Sequence, residues 1–238
     1  MKITGGAKAK SVEAMFSSIA HRYDFLNHFL SLGFDITWRK KAIACFSDLR
    51  GKKILDVACG TGDLAITIAK AGDETTRITA GDFSREMIEI GKTKIKEADL
   101  DSAVTMEFSD ALNLTYHDNS FDGVTCAFGV RNFAGLNRGL SEMTRVLKPG
   151  GRMVILEFTQ PSNPVFGALY KFYFTQMLPA VGGLLSGNKD AYKYLPDTVY
   201  QFPAPDKLSA MLEGLGLERV EFNPLTFGIC GIHTGIKK

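Results

Sequence analysis

From residue 52 to residue 159 the chain alternates, with little interruption, between short apolar runs and longer amphipathic ones. KKILDVAC, TRITAGDF, AVTMEFSDA, SFDGVTCAFGV and RMVILEFT have the length and β-branched content of strands. LAITIAKAG, REMIEIGKTKIKEA and GLNRGLSEMTRVL repeat their apolar residues at helical spacing. Strands that alternate with helices imply a parallel sheet covered on both faces. Further on, DKLSAMLEGLG predicts a last helix, and LERVEFNPL and TFGICGIHTGI predict two more strands that close the sheet as a hairpin. The expected fold class is α/β, a seven-stranded Rossmann-like sheet. Right-handed crossovers place the loops that follow the parallel strands on one edge, where ligands bind.

The flanks differ from this core. SVEAMFSSIAHRYDFLNHFLSL (11–32) predicts one or two amphipathic helices, and TWRKKAIACFSDL another, ended by Gly51. Residues 160–205 are rich in aromatics, Pro and Gly. The reading is one domain, 1–238. Residues 11–50 form a helical cap, 51–159 the cofactor-binding core, 160–205 a substrate or lid insertion, and 206–238 the closing helix and hairpin. A net charge of +2, from 28 basic and 26 acidic side chains, asks for no nucleic-acid partner. Neither the four dispersed cysteines nor the four histidines have metal-ligand spacing, so no metal is expected. MKITGGAKAK is not a secretory signal, and no run reaches the roughly 20 apolar residues of a spanning helix. The expected location is cytoplasmic, with association at the inner face of a membrane left open.

In LDVACGTGDLA (55–65), Gly60, Gly62 and Ala65 match G-x-G-x-x-A between a strand and a helix. Residues without bulk let a ligand approach the backbone there. Asp82 ends the second strand, 20 positions after Gly62, where a carboxylate accepts hydrogen bonds from ribose hydroxyls. A nucleoside site follows, suited to NAD and to S-adenosylmethionine alike. Three features favour S-adenosylmethionine. Asp56 and Asp63 bracket the loop, which suits a cation and repels a pyrophosphate; a helix cap for Asp63 and support of loop amides by Asp56 remain alternatives. Ser109-Asp110-Ala111 ends the third strand, where a carboxylate can accept the adenine amino group. The closing hairpin matches the sheet of class I methyltransferases and not the second half of a dehydrogenase.

YDFLNHFLSLGFDITW (23–38) and RVLKPGGRMVILEFT (145–159) resemble the two signature stretches of the UbiE/COQ5 family, with DVACGTGD, GDFSREM, SDA and FGVRNF between them in family order. The resemblance covers the chain from about residue 11 to the C-terminus. It implies an S-adenosylmethionine-dependent C-methyltransferase of ubiquinone and menaquinone biosynthesis, acting on a reduced polyprenyl quinol. By resemblance, Thr61, Asp82, Asp110 and Ala111 fall on cofactor contacts. Ala127 stands where the family commonly has Ser and is left out of the site. Leu26 replaces a Met, Thr159 replaces a smaller residue, and Asp35 stands where His is typical, which removes a titrating group.

Ring methylation needs an electron-rich quinol carbon held in line with the methyl group, and help in removing a proton. FGVRN follows the fourth strand on the ligand edge. Similar enzymes place this Arg near the reacting ring, so the resemblance makes Arg131 the expected catalytic group, stabilising the quinol oxyanion or orienting a water; a structural ion pair with a nearby acid is the alternative. Asn132 is expected to position substrate or cofactor, and Tyr23 to close over the site from the cap, with core packing as the alternative for Tyr23. His21, His28 and His117 are candidate bases only because histidine titrates near neutrality, and are otherwise solvent-facing. GALYKFYFTQMLPAVGGLL (167–185) is too broken to span a bilayer yet apolar enough to hold an isoprenoid tail or touch a membrane surface; a homodimer interface is the alternative. Another small or lipidic acceptor, or a non-catalytic scaffold of a biosynthetic complex, are the competing functions.

Overall fold

The computed structural model describes residues 31–161 and 189–238 throughout, together with residues 6, 12, 14, 15, 17, 20, 24, 25, 27–29, 163, 167, 170 and 172–177. Seven strands form one sheet: β1 (Lys53–Val57), β2 (Arg77–Asp82), β3 (Val104–Phe108), β4 (Phe121–Ala127), β5 (Leu147–Phe158), β6 (Leu217–Leu225) and β7 (Cys230–Lys237). Their order is β3-β2-β1-β4-β5-β7-β6, with β1 to β5 parallel and β7 antiparallel to both of its neighbours. The order reverses between β1 and β4, the crevice where open α/β sheets bind ligands.

The described helices are α1 (Phe34–Ile43), α2 (Asp63–Ala71), α3 (Arg85–Glu97), α4 (Leu136–Val146), α5 (Lys189–Gln201) and α6 (Pro205–Gly214). Successive side chains of a strand point to opposite faces, and β1 feeds both cores. Ile54 packs with Ile68, Ile78, Ile88 and Met106 under α2 and α3. Leu55 packs with Val124, Leu140, Met143, Ile155 and Leu212 under α4 and α6.

Several elements depart from the sequence pattern: Thr226–Gly228, expected inside the last strand, forms a short helical turn, and Lys189–Gln201, expected only as part of the insertion, forms α5. The helix expected in TWRKKAIACFSDL begins earlier and stops at Ile43. Phe46 and Leu49 leave the helical path to pack on Ile54, and Phe46 fills the space beside Gly123 that any side chain there would occupy. The strand expected from Arg152 instead starts at Leu147, because Phe121 pairs with Leu147 before the register shifts to Gly123 opposite Arg152. Gly150, at φ 74°, supplies the left-handed residue that such an irregularity needs. Among the described residues, no helix is long and apolar enough to cross a membrane.

Candidate functional site

A cavity opens over the carboxyl ends of β1 to β4. β1 sends Asp56 and the loop Ala58–Thr61 into its wall, β2 sends Asp82 and Phe83, and β3 sends Ser109, Asp110 and Ala111. β4 contributes Ala127, Phe128 and Gly129, and the turn beyond it Asn132 and Phe133. The sequence-expected residues Gly60, Thr61, Asp82, Asp110, Ala111 and Asn132 therefore meet in one cavity. Ala127, left out of the site for want of a hydroxyl, is part of the wall as well. Tyr23 and Leu26 lie outside the described residues, as does most of the 167–185 stretch.

The glycine loop is shaped by left-handed backbone: Gly60 lies at φ 56° and Gly62 at φ 83°, a region in which glycine carries no steric penalty. The Gly60 amide donates to Asp82 Oδ2 (2.8 Å), and the Ser84 amide donates to Asp82 Oδ1 (2.8 Å). Two backbone donors thus orient the Asp82 carboxylate. Asp110 is oriented similarly, with Oδ1 accepting from the Leu112 amide (2.9 Å).

The two acids that bracket the loop have different surroundings. Asp63 carries ion pairs to Lys94 (2.5 Å) and Arg39 (3.4 Å). Burial alone would raise its pKa, but Arg39 and Lys94 together hold it below the ordinary value. Gly62 occupies the helix-cap position, so Asp63 is neither a cap nor an uncompensated charge facing the ligand. Asp56 is 1% exposed; its Oδ1 accepts from the Thr125 hydroxyl (2.9 Å), and its Oδ2 has no partner among the described residues. Burial, with a lesser push from the Asp82 charge, raises its pKa to about 7 against the pull of the Thr125 hydrogen bond and Arg39.

An ionic network links the N-terminal arm to this loop. Asp24 accepts from Thr61 Oγ1 (2.5 Å) and Lys94 Nζ (2.5 Å). Asp35 accepts from Ser31 Oγ (2.7 Å), pairs with Arg39, and lies 2.7 Å from His28 Nδ1. At this position, against the push of burial, Ser31 and Arg39 hold the Asp35 carboxyl below the ordinary range, and His28 brings an imidazole to the same spot instead of facing solvent alone. His28, Asp35 and Asp63 offer ligand atoms within 4.8 Å of one another. Arg39 and Lys94 already compensate their charge.

Arg131 sits behind the cavity wall. Its Nη1 donates to Glu157 Oε1 (2.7 Å) and to the Phe128 carbonyl, and the guanidinium lies 5.5 Å over the Phe158 ring. The two side chains are 6% and 1% exposed, so the pair is buried. Burial raises the Glu157 pKa against the pull of Arg131. The guanidinium is not part of the cavity wall, because the short turn Val130–Asn132 directs it toward β5; its Nε has no partner among the described residues. Asn132 does face the cavity, and its Oδ1 accepts from the Tyr194 hydroxyl (3.1 Å) on α5. Phe128, at φ 58°, holds a left-handed conformation that costs a bulky residue about 1–2 kcal/mol, the kind of strain that collects at functional turns.

Sequence reasoning missed Tyr194, Glu157, Lys94 and Asp24. Glu157 carried a signal, as the one acid within the apolar run RMVILEF. Phe83, Met87 and Leu112 also line the cavity and give the β2–β3 side an apolar surface beside its carboxylates.

The donor set fits S-adenosylmethionine. The glycine loop carries no cation, and Arg39, which lines the cavity, is paired with Asp35 and Asp63; the Gly60 amide is taken up by Asp82, and the unpartnered Asp56 oxygen provides negative charge for a sulfonium or ammonium group. A pyrophosphate would meet carboxylates at each strand end. Fold and cavity together define a class I S-adenosylmethionine-dependent methyltransferase. The chain belongs to the ubiE/COQ5 methyltransferase family, whose model matches residues 4–237.

It is 45% identical over 230 residues to the ubiquinone/menaquinone biosynthesis C-methyltransferase UbiE of Geotalea daltonii, covering 97% of each chain. It is 46% identical over 231 residues to the demethylmenaquinone methyltransferase of Deinococcus radiodurans, covering 97% of this chain and 94% of that one. Among solved structures it resembles a possible histamine N-methyltransferase from Thermotoga maritima, with TM-score 0.67, 18% identity, and coverage of 94% and 99%. It also resembles the [4+2]-cyclase SpnF, with TM-score 0.71, 16% identity, and coverage of 100% and 98%. Neighbours so different in chemistry show that the fold alone does not select the acceptor.

Proposed function

We propose that the protein methylates a ring carbon of a reduced polyprenyl quinol, converting demethylmenaquinol to menaquinol, the corresponding methoxy-polyprenyl benzoquinol, or both. The observation that carries this reading is the pair of relatives named for quinone-biosynthetic methylation, aligned with this chain over nearly its whole length. The cavity supports it, because its carboxylate-rich end continues into an end walled by Phe128, Phe133 and Ala127.

S-adenosylmethionine, when bound, supplies an electrophilic methyl group. Asp82 takes the ribose hydroxyls, Asp110 and Ala111 border the adenine, and Gly60, Thr61 and Gly62 shape the loop against which the cofactor lies. Asp56 places a buried carboxylate near the cationic portion. At the acceptor end the aromatic wall excludes water and holds the ring flat. Asn132 offers an amide donor to the quinol oxygen, and Tyr194 holds that amide from behind. Arg131 stays behind the wall, paired with Glu157, and favours the oxygen that becomes anionic through its charge and not by contact. Glu157 is the positioning residue for Arg131. Tyr23 of the cap and the aromatic insertion complete the acceptor end in this reading, and the isoprenoid tail implies contact with a membrane surface.

The test is methyl transfer by the purified chain. Demethylmenaquinol and the methoxy-polyprenyl benzoquinol are supplied separately, reduced and oxidised, with products read by mass spectrometry. Methylation of reduced forms alone is the expected result and shows which quinol is used. Cofactor binding without methylation of either quinol would overturn the substrate reading.

A further inference from the structure

Large exposed hydrophobics are unevenly placed on this molecule. Of the seven among the described residues, five lie between Phe25 and Ile36: Phe25, Phe29, Leu32, Phe34 and Ile36. Singly scattered apolar residues are ordinary on a protein surface, whereas a contiguous group marks an interaction site. The inner face of α1 carries Trp38, Ala42 and Ile43 into the core, which leaves Phe34, Ile36, Lys40 and Lys41 on its outer face.

A sixth, Phe227, lies in a turn beside α1, where the Trp38 indole N–H donates to Thr226 Oγ1 (2.8 Å). From the other side, the Thr159 hydroxyl donates to the Gly228 carbonyl (2.7 Å) and the Thr159 amide to the Ile229 carbonyl (2.9 Å). The turn is thus held on both flanks while Thr226 and Phe227 take φ 46° and 56°, conformations that cost non-glycine residues free energy. The outcome of that strain is a phenyl ring left 80% exposed.

This rim is connected to the cavity by aromatic contacts. Phe34 stacks on Trp38 at 6.3 Å between ring centres; Trp38 meets Phe158 at 6.0 Å and Phe128 at 6.2 Å. Phe128 is in the cavity wall, so a row of rings runs from the exposed surface to the acceptor end.

We infer that the outer face of α1 and the Thr226–Gly228 turn form a docking surface for an anionic lipid bilayer, with the Trp38–Phe158–Phe128 row as the apolar path from that surface to the methylation site. The inference rests on the polyprenyl quinol reading for the identity of what travels along the path. Two arguments favour a bilayer over a protein partner. Lys40 and Lys41 flank the apolar residues, the basic and aromatic mixture that attracts an interface of negative headgroups. The path also ends at the site that requires a substrate whose long tail partitions into lipid.

The test uses the full chain and sedimentation with two kinds of vesicle, phosphatidylcholine alone and phosphatidylcholine with phosphatidylglycerol. Expected is binding to the anionic vesicles, weakened roughly fivefold per lysine by Lys40→Glu and Lys41→Glu and at least as strongly by Phe34→Ser combined with Phe227→Ser. Methylation of a short-tailed quinol in solution should be unaffected by these changes, while methylation of a long-tailed quinol delivered in vesicles falls with binding. Equal binding by the variants, or no binding by the parent chain, overturns the inference. Conversion of a dimer to a monomer by Phe34→Ser and Phe227→Ser also overturns it, since the face is then covered by a second copy. If vesicle binding behaves as expected but no quinol of any tail length is methylated, the surface stands and the substrate reading fails.

Discussion

The two ends of the cavity are built by different means. At the cofactor end, each important side chain lies at or just beyond a strand, and backbone amides hold it: Gly60 and Ser84 on Asp82, Leu112 on Asp110. At the acceptor end, one short turn carries Arg131 and Asn132; the Phe128 carbonyl accepts from both, and further side chains hold them from behind: Glu157 on Arg131 and Tyr194 on Asn132. Backbone support comes with the fold itself, so a cofactor end of this kind is shared by methyltransferases for many acceptors. Side-chain support can be rearranged by single substitutions, which suits the end that must discriminate between acceptors. Substitutions at the acceptor end should therefore lower turnover while sparing cofactor affinity, and those at the cofactor end should weaken cofactor affinity while changing turnover at saturating cofactor much less.

The largest effect is expected from Glu157→Ala. Arg131 cannot give up its proton, so the change leaves a buried cation without its counter-charge, at a cost of about 3–5 kcal/mol. Arg131→Ala should cost less, because Glu157, whose pKa burial already raises, can take up a proton and become neutral. The Arg131→Ala penalty should grow as pH rises and Glu157 is forced to ionise. Thermal midpoints of both variants across pH measure this asymmetry; equal penalties would mean the pair is more hydrated than its burial implies. Turnover of Arg131→Ala should fall with S-adenosylmethionine affinity kept.

Next in size is Asp82→Ala, which frees two loop amides and removes the proposed ribose acceptor. A loss of about 2–3 kcal/mol, or roughly 30- to 150-fold in dissociation constant, is expected by calorimetric titration with S-adenosylmethionine. Turnover at saturating cofactor should change much less. An unchanged dissociation constant would remove Asp82 from ribose binding and weaken the contrast between the ends.

The same contrast explains what was legible in the sequence. Asp82, Asp110 and the glycine loop are readable because short apolar, β-branched runs locate strand ends, and the residues that matter lie within a few positions of them. Asn132 is readable for the same reason. Tyr194 is not, since it reaches Asn132 across 62 positions from a helix that contains Pro196. Lys94 compensates Asp63 from α3, yet its position in REMIEIGKTKIKEA does not separate it from the solvated lysines beside it. The bracketing acids Asp56 and Asp63 looked equivalent as letters and differ only through neighbours brought in by folding.

A smaller effect should follow from Tyr194→Phe, which deletes the hydroxyl that Asn132 accepts and little else. The expected loss is about 1 kcal/mol, or roughly fivefold in turnover with quinol, with cofactor affinity and thermal midpoint unchanged. Asn132→Ala should lower turnover further, and combining the two should add little, because the hydroxyl acts through the amide. Full additivity would mean that Tyr194 touches the acceptor directly.

The smallest effect tests the cofactor end through Asp56, whose Oδ2 has no partner among the described residues. Asp56 titrates at about 7 in the ligand-free chain, and the charges that bear on it are Asp82 and Arg39, with Thr125 as its hydrogen-bond donor. Its pKa is raised above the unfolded value, so protonation favours the folded state. This group's contribution to stability is therefore present at low pH and declines as pH rises through about 7. A cationic ligand reverses the preference, because it stabilises the ionised carboxylate and is bound more tightly by it. S-adenosylmethionine affinity should rise by a few-fold between about pH 6 and pH 8. S-adenosylhomocysteine, which lacks the sulfonium charge, should follow a shallower profile, and Asp56→Asn should flatten both. Parallel profiles for the two ligands would place Asp56 near the amino group that they share, and a flat profile in the parent chain would mean that its charge is not felt at the cofactor site.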